Sequence, residues 1–333
     1  MLAASASLLN IPVVILDVGA QAPAKQILAS TTPRLTHVDG SFSDPEKIRE
    51  LAAQVDVLTV EIEHVNVDVL EEVKQSYPVE VHPDPSTIRI IQDKFRQKEH
   101  LLSHAIPVAS FLPVEPTVQG ITDAAGSLGL PLMLKSKTLA YDGRGNFVFR
   151  DLSRVQDALD FLGKRPLYAE KWVPFIKEIA IMVVRTTGGH VSSYPVVETV
   201  HKDNICHLVS VPLRSRVADL PLRAREIAER AVQSLSGAGV FGVEMFLLAD
   251  GTSTSFLRDS TDVPTASRPN SRERDRTSTS QLWPLYYRGV RDLTICESPA
   301  CHPLSPYWVD RPQSSIRRHA QPPGRIERHV RAH

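Results

Sequence analysis

Lys135 follows the apolar run Leu132-Met133-Leu134, so the chain sets an ammonium group at the end of a β-type segment. A turn-forming stretch comes next, Tyr141-Asp142-Gly143-Arg144-Gly145-Asn146, and leads into Phe147-Val148-Phe149. A second apolar run, Pro166-Leu167-Tyr168-Ala169, delivers Glu170, and a third apolar segment, GVFGVEMFLL, contains a single acid, Glu244. A lysine neutralises phosphate as a compact point charge. A glycine loop offers backbone N–H groups that no side chain obstructs. A carboxylate accepts hydrogen bonds from a nucleoside. An acid inside an apolar run is costly unless it is paired or binds a cation, and Mg²⁺ takes carboxylate oxygens together with substrate phosphates. The chemistry these residues could do together is the binding of a nucleoside triphosphate.

Taken singly, each signal has a plain alternative. Lys135 is equally an exposed lysine that punctuates a strand, and 141–146 is equally a hairpin turn, because Asp-Gly and Arg-Gly-Asn are ordinary turn chemistry. Glu170 and Glu178 could be surface carboxylates flanking a strand, and His201, after alternating residues, reads as structural. The segment 93–98, Asp-Lys-Phe-Arg-Gln-Lys, could be a solvated helix face. Glu61-Ile62-Glu63-His64 has a metal-like look, but no partner ligand stands at helical or ribbon spacing. Specificity lies in the order of the signals along the chain.

Bulk properties narrow the classes. A length of 333 residues suggests two or three domains. A hydrophobic share of 42% and a charged share of 23% are those of an ordinary globular protein. A formal net charge of zero and a pI near 7.2 give no argument for nucleic acid or an anionic membrane. Cys206, Cys296 and Cys301 are odd in number and lack metal spacing, which favours a reducing compartment without a disulfide framework. No stretch approaches the roughly twenty apolar residues of a membrane span. The apolar N-terminus lacks the basic region of a signal peptide. The expectation is a cytoplasmic protein that acts on small molecules, with neither nucleic acid nor membrane as a partner.

The positioning elements follow from the two hydrophobic periods. Over residues 1–107 the pattern predicts strands at 11–16, 55–61 and 79–82, and helices at 44–53, with Asp44 as N-cap and Pro45 first, and at 67–74. This rhythm predicts a Rossmann-like parallel sheet with acids at its strand ends, where α/β sheets bind ligands. A helix capped by Ser86 is expected to run to about His104, followed by a proline-containing linker that marks a domain boundary. In 108–250 the pattern predicts a helix at 122–128 closed by Gly129 and strands at 178–185 and 190–200, joined by a Gly188-Gly189 hairpin. A further strand is expected at 205–212, a helix at 220–235 and a strand at 239–248. After Gly251 the chain turns rich in Ser, Thr, Arg and Pro, with no lysine beyond Lys202, so 251–333 is expected to be a low-order tail.

This order of motifs resembles the ATP-grasp superfamily. Within it, the chain is similar to the 5-(carboxyamino)imidazole ribonucleotide synthetase portion of the fungal phosphoribosylaminoimidazole carboxylase family. The residues that carry the resemblance are EIEHV, IQDKFRQKEHL, PLMLKSKTLAYDGRGNF, PLYAEKWVPFIKEIAIMVVR, YPVVETVHKDNIC and GVFGVEMFLL, and they span about residues 1–250. The implied fold is a Rossmann-like pre-ATP-grasp domain followed by an ATP-grasp domain, of classes α/β and α+β. The resemblance implies that Lys94 and Lys135 meet the ATP phosphates and that Tyr141, Asp142, Gly143, Arg144, Gly145, Asn146 and Phe147 form the loop over them. Lys135, Asp142 and Arg144 form the implied catalytic set. Glu170, Lys171, Trp172 and Val173 look like the hinge whose backbone reads adenine, with Glu178 on the ribose hydroxyls, His201 as a further ATP contact and Glu244 as a magnesium ligand.

The implied reaction is purine-biosynthetic: ATP- and bicarbonate-dependent carboxylation of aminoimidazole ribonucleotide, with Mg²⁺, in what is by family habit a homodimer. Three departures stand out. Met1-Leu2-Ala3-Ala4 begins inside the family's first helix, so the first strand and its glycine turn are not found. After Gly251 the family's Asn-Glu strand and Arg-Pro-His-Asn-Ser-Gly-His-like run have no counterpart in TSTSFLRDSTDV, and the second magnesium acid goes with them. The mutase domain that comes next in the fused proteins is not found either. The abrupt change looks like an altered reading frame or splice, and the inventory predicts impaired catalysis. Rival expectations are a non-catalytic ATP-binding fragment and another ATP-grasp carboxylate-amine ligase. A dinucleotide-dependent oxidoreductase is disfavoured, since no G-x-G-x-x-G follows a strand.

Overall fold

Asp44, with Pro45 behind it, starts a helix as its carboxylate accepts from the Glu46 N–H, and the same device recurs along the N-terminal region. The computed structural model describes residues 2–28, 36–138, 145–202, 205–215 and 218–248, and the backbone of 255–257. Its first elements are α1 (Leu2–Leu8), β1 (Leu16–Asp17), α2 (Pro23–Ile27), β2 (Val38–Asp39), α3 (Pro45–Ala52), β3 (Val57–Thr59), α4 (Val67–Ser76) and β4 (Glu80–His82). The pairs β1–β2 and β3–β4 are parallel, as the alternating pattern predicts, and Leu58, Val60, Leu70, Val73, Val81 and Ile88 fill the core beside them. The strand expected over 11–16 shortens to Leu16–Asp17. Its ladder partner β2 has two residues, and the Ile15 N–H donates to His37 Nδ1 (3.2 Å) instead.

The single helix expected from Ser86 to His104 is two. Asp84, not Ser86, caps α5 (Pro85–Gln92), and Asp93 is extended and caps α6 (Lys94–Ser103) by accepting from the Phe95 and Arg96 N–H groups. An internal Asp whose side chain takes two helix-start donors interrupts the helix it would otherwise sit in. The expected linker contains β5 (Phe111–Val114), an edge strand, where Pro113 removes no inward ladder bond.

Next come α7 (Val118–Leu128), β6 (Leu132–Ser136), β7 (Asn146–Phe149), α8 (Val155–Leu162) and β8 (Leu167–Lys171). The antiparallel sheet runs β5-β8-β6-β7. Strand alternation splits its residues. Leu132, Leu134, Leu167 and Ala169 join Ile121, Ala124, Ala158 and Leu162 of α7 and α8 in one core. Met133, Lys135, Tyr168 and Glu170 therefore share the other face. The register sets Lys135 opposite Tyr168 and Met133 opposite Glu170.

The last elements are β9 (Phe175–Arg185), β10 (Val191–Ser193), β11 (Val197–Lys202), β12 (Ile205–Ser210), α9 (Leu220–Gln233), β13 (Gly239–Leu248) and β14 (Ser255–Leu257). The glycine hairpin between β9 and β10 forms, with Gly189 at φ +80°. The strand expected over 190–200 is two, β10 and β11, and both pair with β9. Ile179, Ile181, Val183, Phe241, Val243 and Met245 bury one face of the β9–β13 ladder against Leu220, Ala224, Ala228 and Val232 of α9. The tail expected after Gly251 contributes a strand, as β14 pairs antiparallel with β13. The rest of that tail, 251–254 and 258–333, lies outside the described residues.

The loop after α9 is fastened to the cap of α5. The Thr87 hydroxyl donates to the Ser236 carbonyl and the Ser236 N–H reaches the same hydroxyl, each at 2.8 Å. Gly237 sits at φ +81°, where a Cβ would stand 2.3 Å from the Asp84 nitrogen. Glycine is required there for close approach as well as for backbone sign.

Candidate active site

The functional face of the four-stranded sheet is covered by α6. Asp93 fixes the start of that helix, and the four-residue spacing of Lys94 and Lys98 puts both on the side turned inward. Phe95 packs edge-on against Tyr168 (6.0 Å between centroids) and Phe111 (5.4 Å), which seats α6 on β8 and β5. The Lys94 N–H donates to the Lys137 carbonyl (2.8 Å), and the Lys137 ammonium lies 4.2 Å from the Phe95 ring centre.

The exposed-lysine and surface-carboxylate alternatives are overturned for this group. Lys135 is 2% exposed, Lys98 1% and Glu170 fully buried. The Lys98 ammonium lies 2.5 Å from Glu170 Oε1, and that of Lys135 lies 3.6 Å from Oε2. Lys94 is buried as well, so the solvated-face reading of 93–98 fails for both lysines. Sequence reasoning missed Lys98. The signal that could have found it is its position one helical turn after Lys94 on a helix opened by an Asp cap.

Residues 172–174 link β8 to β9. Trp172 stacks under the Arg150 guanidinium, 5.4 Å from ring centre, while Lys171 is exposed and Val173 half-buried. On β9, Glu178 is placed opposite Thr199 and Phe246 and pairs with His201, Oε2 to Nδ1, at 2.6 Å. His201 lies two residues beyond Thr199 along β11, so it falls on the same side and reaches Glu178. Glu244 stands on β13 opposite Ala180, two residues from Glu178 along β9 and so on the same face, and is 9% exposed. Cys206 is the register partner of His201. Burial, then the charges of Glu244 and Glu178, push its thiol above the usual range.

Of the loop expected over phosphate, Tyr141, Asp142, Gly143 and Arg144 lie outside the described residues. Gly145 adopts φ +99° and its carbonyl accepts from the Ser136 N–H (2.7 Å), while Asn146 is buried on β7 opposite Lys135. Phe147 packs on Phe161.

Among the described residues, those able to hold a magnesium ion fall short. Among the described residues no group of three or more His, Cys, Asp and Glu side chains could hold a metal. Glu178 is engaged with His201, and β14, the strand paired to β13, carries Ser255, Phe256 and Leu257. Among the described residues, Glu244 is thus one carboxylate where a phosphate-bridging cation takes more.

A buried lysine-carboxylate cluster on one sheet, followed by a short link to an antiparallel sheet with an acid–imidazole pair, is the layout of an ATP-grasp protein. A model of the ATP-grasp domain matches residues 99–255, and one of the ribonucleotide synthetase preATP-grasp domain matches 1–92. The chain is 53% identical over 252 residues to phosphoribosylaminoimidazole carboxylase of Ogataea methanolica, covering 75% of this chain and 45% of the relative. It is 32% identical over 254 residues to N5-carboxyaminoimidazole ribonucleotide synthase of Brucella melitensis, covering 76% of this chain and 67% of that one. The Aspergillus clavatus N5-carboxyaminoimidazole synthase, solved with ADP and 5-aminoimidazole ribonucleotide, superposes with a TM-score of 0.70 at 46% identity, over 77% of this chain and 64% of that one. The chain belongs to the N5-carboxyaminoimidazole ribonucleotide synthase family. It spans just under half the length of the fungal relative.

Proposed function

We propose that this chain binds ATP at the Lys135–Glu170 face and that its activity, by descent, is the ATP- and bicarbonate-dependent carboxylation of aminoimidazole ribonucleotide. In that reaction a bicarbonate oxygen attacks the γ-phosphorus and the bond to ADP breaks. The nitrogen of the amine then attacks the carboxyl carbon of carboxyphosphate, phosphate leaves, and the nitrogen loses a proton. Lys94 and Lys135 would offset phosphate charge, 170–173 would read the base, and Glu178 with His201 would hold the ribose side. The observation that carries the reading is the convergence of buried Lys135, Lys98 and Glu170 directly before the link at 172–174. The matched relatives of the same family support the choice of substrates.

A second reading is favoured by one observation: the strand beside Glu244 brings Ser255, Phe256 and Leu257 and no carboxylate. Under it the chain grips nucleotide yet turns over poorly, since under-neutralised phosphates at the transition state commonly lose several kcal/mol. A homodimer and a cytoplasmic location accompany either reading, by family habit and cysteine usage respectively. The test is ADP release from ATP, Mg²⁺, bicarbonate and aminoimidazole ribonucleotide, with Lys135→Ala as control. Substrate-dependent release lost in the control supports the carboxylase. No release, but ATP binding lost in the control, supports the non-catalytic binder. ATP binding unchanged in the control overturns both.

A further inference from the structure

We infer that Thr199 is a binding and specificity residue of the nucleotide site, its hydroxyl donating to a ribose hydroxyl that in turn donates to Glu178. This rests on the ATP-site reading above and adds to it a residue of β11. Thr199 is 5% exposed, and among the described residues its hydroxyl oxygen is buried without a hydrogen-bond partner. A buried hydroxyl in that condition is costly. A valine of the same shape would avoid the cost and suit a strand as well, so packing alone does not account for the hydroxyl.

Strand alternation and register fix what the hydroxyl can meet. Along β11 its neighbours on the same face are Val197 and His201, and across the ladders they are Glu178 of β9 and Val209 of β12. Two of the four are apolar. The other two are engaged with each other, His201 Nδ1 and Glu178 Oε2 at 2.6 Å. His201 Nε2 is, like the Thr199 hydroxyl, buried without a partner among the described residues. Two polar atoms in that condition therefore belong to the face that carries Glu178 and Glu244. Thr199 is less enclosed than Lys135, and the long Glu178 side chain opposite it can turn about its own torsions to admit a ligand.

Directly opposed residues of an antiparallel pair hold their Cβ atoms about 4.5–5.5 Å apart, so a ligand atom that reaches one of these side chains is within reach of the other. The ionised carboxylate only accepts, whereas the threonine hydroxyl can donate. A phosphate oxygen would meet like charge at Glu178, and the base is assigned to 170–173. An alcohol donates to the carboxylate and accepts from Thr199 at once, and the alcohols of a nucleotide are its ribose hydroxyls. Thr199 thereby favours a ribonucleotide over a deoxynucleotide.

The test uses the full chain and measures affinity for ATP, 2′-deoxy-ATP and 3′-deoxy-ATP by equilibrium dialysis in wild type, Thr199→Ser and Thr199→Val. Thr199→Val is expected to weaken ATP about fivefold and to leave unchanged the weaker binding of the analogue that lacks the bridging hydroxyl. Thr199→Ser is expected to keep most of the ATP affinity. Should Thr199→Val fail to fold, Thr199→Ala reads the same difference between ATP and that analogue. Equal weakening of ATP and both analogues, unchanged ATP affinity once the hydroxyl is removed, or a wild type that binds all three alike would overturn the inference. Absence of ATP binding by the wild type is a separate result that overturns the nucleotide site itself.

Discussion

The two sheets hold their charges in different ways. On the four-stranded sheet, Lys98, Lys135 and Glu170 are almost wholly buried, arranged by strand register and sealed by α6. On the β9–β13 sheet, Glu178 and His201 form a compact pair beside Glu244, and the next strand brings no acid. The first arrangement depends on residues 93–171. The second is set by β9, β11 and β13, with β14 as the strand beside Glu244. Under the proposed function, most of the nucleotide grip is assigned to the first arrangement, and the ribose side and charge neutralisation to the second.

The largest expected break in this comparison is Glu170→Ala, which strips a fully buried carboxylate from Lys98 and Lys135. Removing one partner of such a group is expected to destabilise by about 3–5 kcal/mol. Glu178→Ala removes the 2.6 Å partner of the largely buried His201 imidazole, a single-partner loss for which about 1–3 kcal/mol is expected. Urea unfolding of both variants measures the gap, and equal losses would erase the distinction between the sheets.

A gain-of-function change sharpens the contrast. Phe256 is the register partner of Phe246, two residues from Glu244. Phe256→Glu is expected to raise magnesium-dependent ATP affinity about tenfold, or about 1.4 kcal/mol. Titration with and without Mg²⁺ checks it, and affinity that ignores Mg²⁺ counts against the incomplete-acid account.

The smallest effect is on Cys206. Its thiol is raised by burial and then by Glu244 and Glu178, so at pH 8 it should alkylate more slowly than a free cysteine. Neutralising one charge in Glu244→Gln favours the thiolate, and labelling should quicken modestly. Peptide mass spectrometry separates this residue from Cys296 and Cys301.

Much of this was legible beforehand because it is local. Asp44 with Pro45, the Gly188-Gly189 hairpin and the apolar run of β13 fell where propensity placed them. The division of one expected helix at Asp93 was not, since a mid-helix Asp reads as solvated until its carboxylate is seen capping Phe95 and Arg96. β14 was hidden because a Ser/Thr-rich stretch becomes a strand when β13 offers it an open edge.

The family and the candidates Lys94, Lys135, Glu170, Glu178, His201 and Glu244 came from motifs that resemble a known family, because such motifs are written in residue type and spacing along the chain. The fold alone shows that Lys98 lies with them, that Glu170 is a buried partner of two lysines, and that Glu178 engages His201. Those facts depend on which helix covers which sheet face and on register between strands far apart in sequence, and such pairings are set by packing of the whole core.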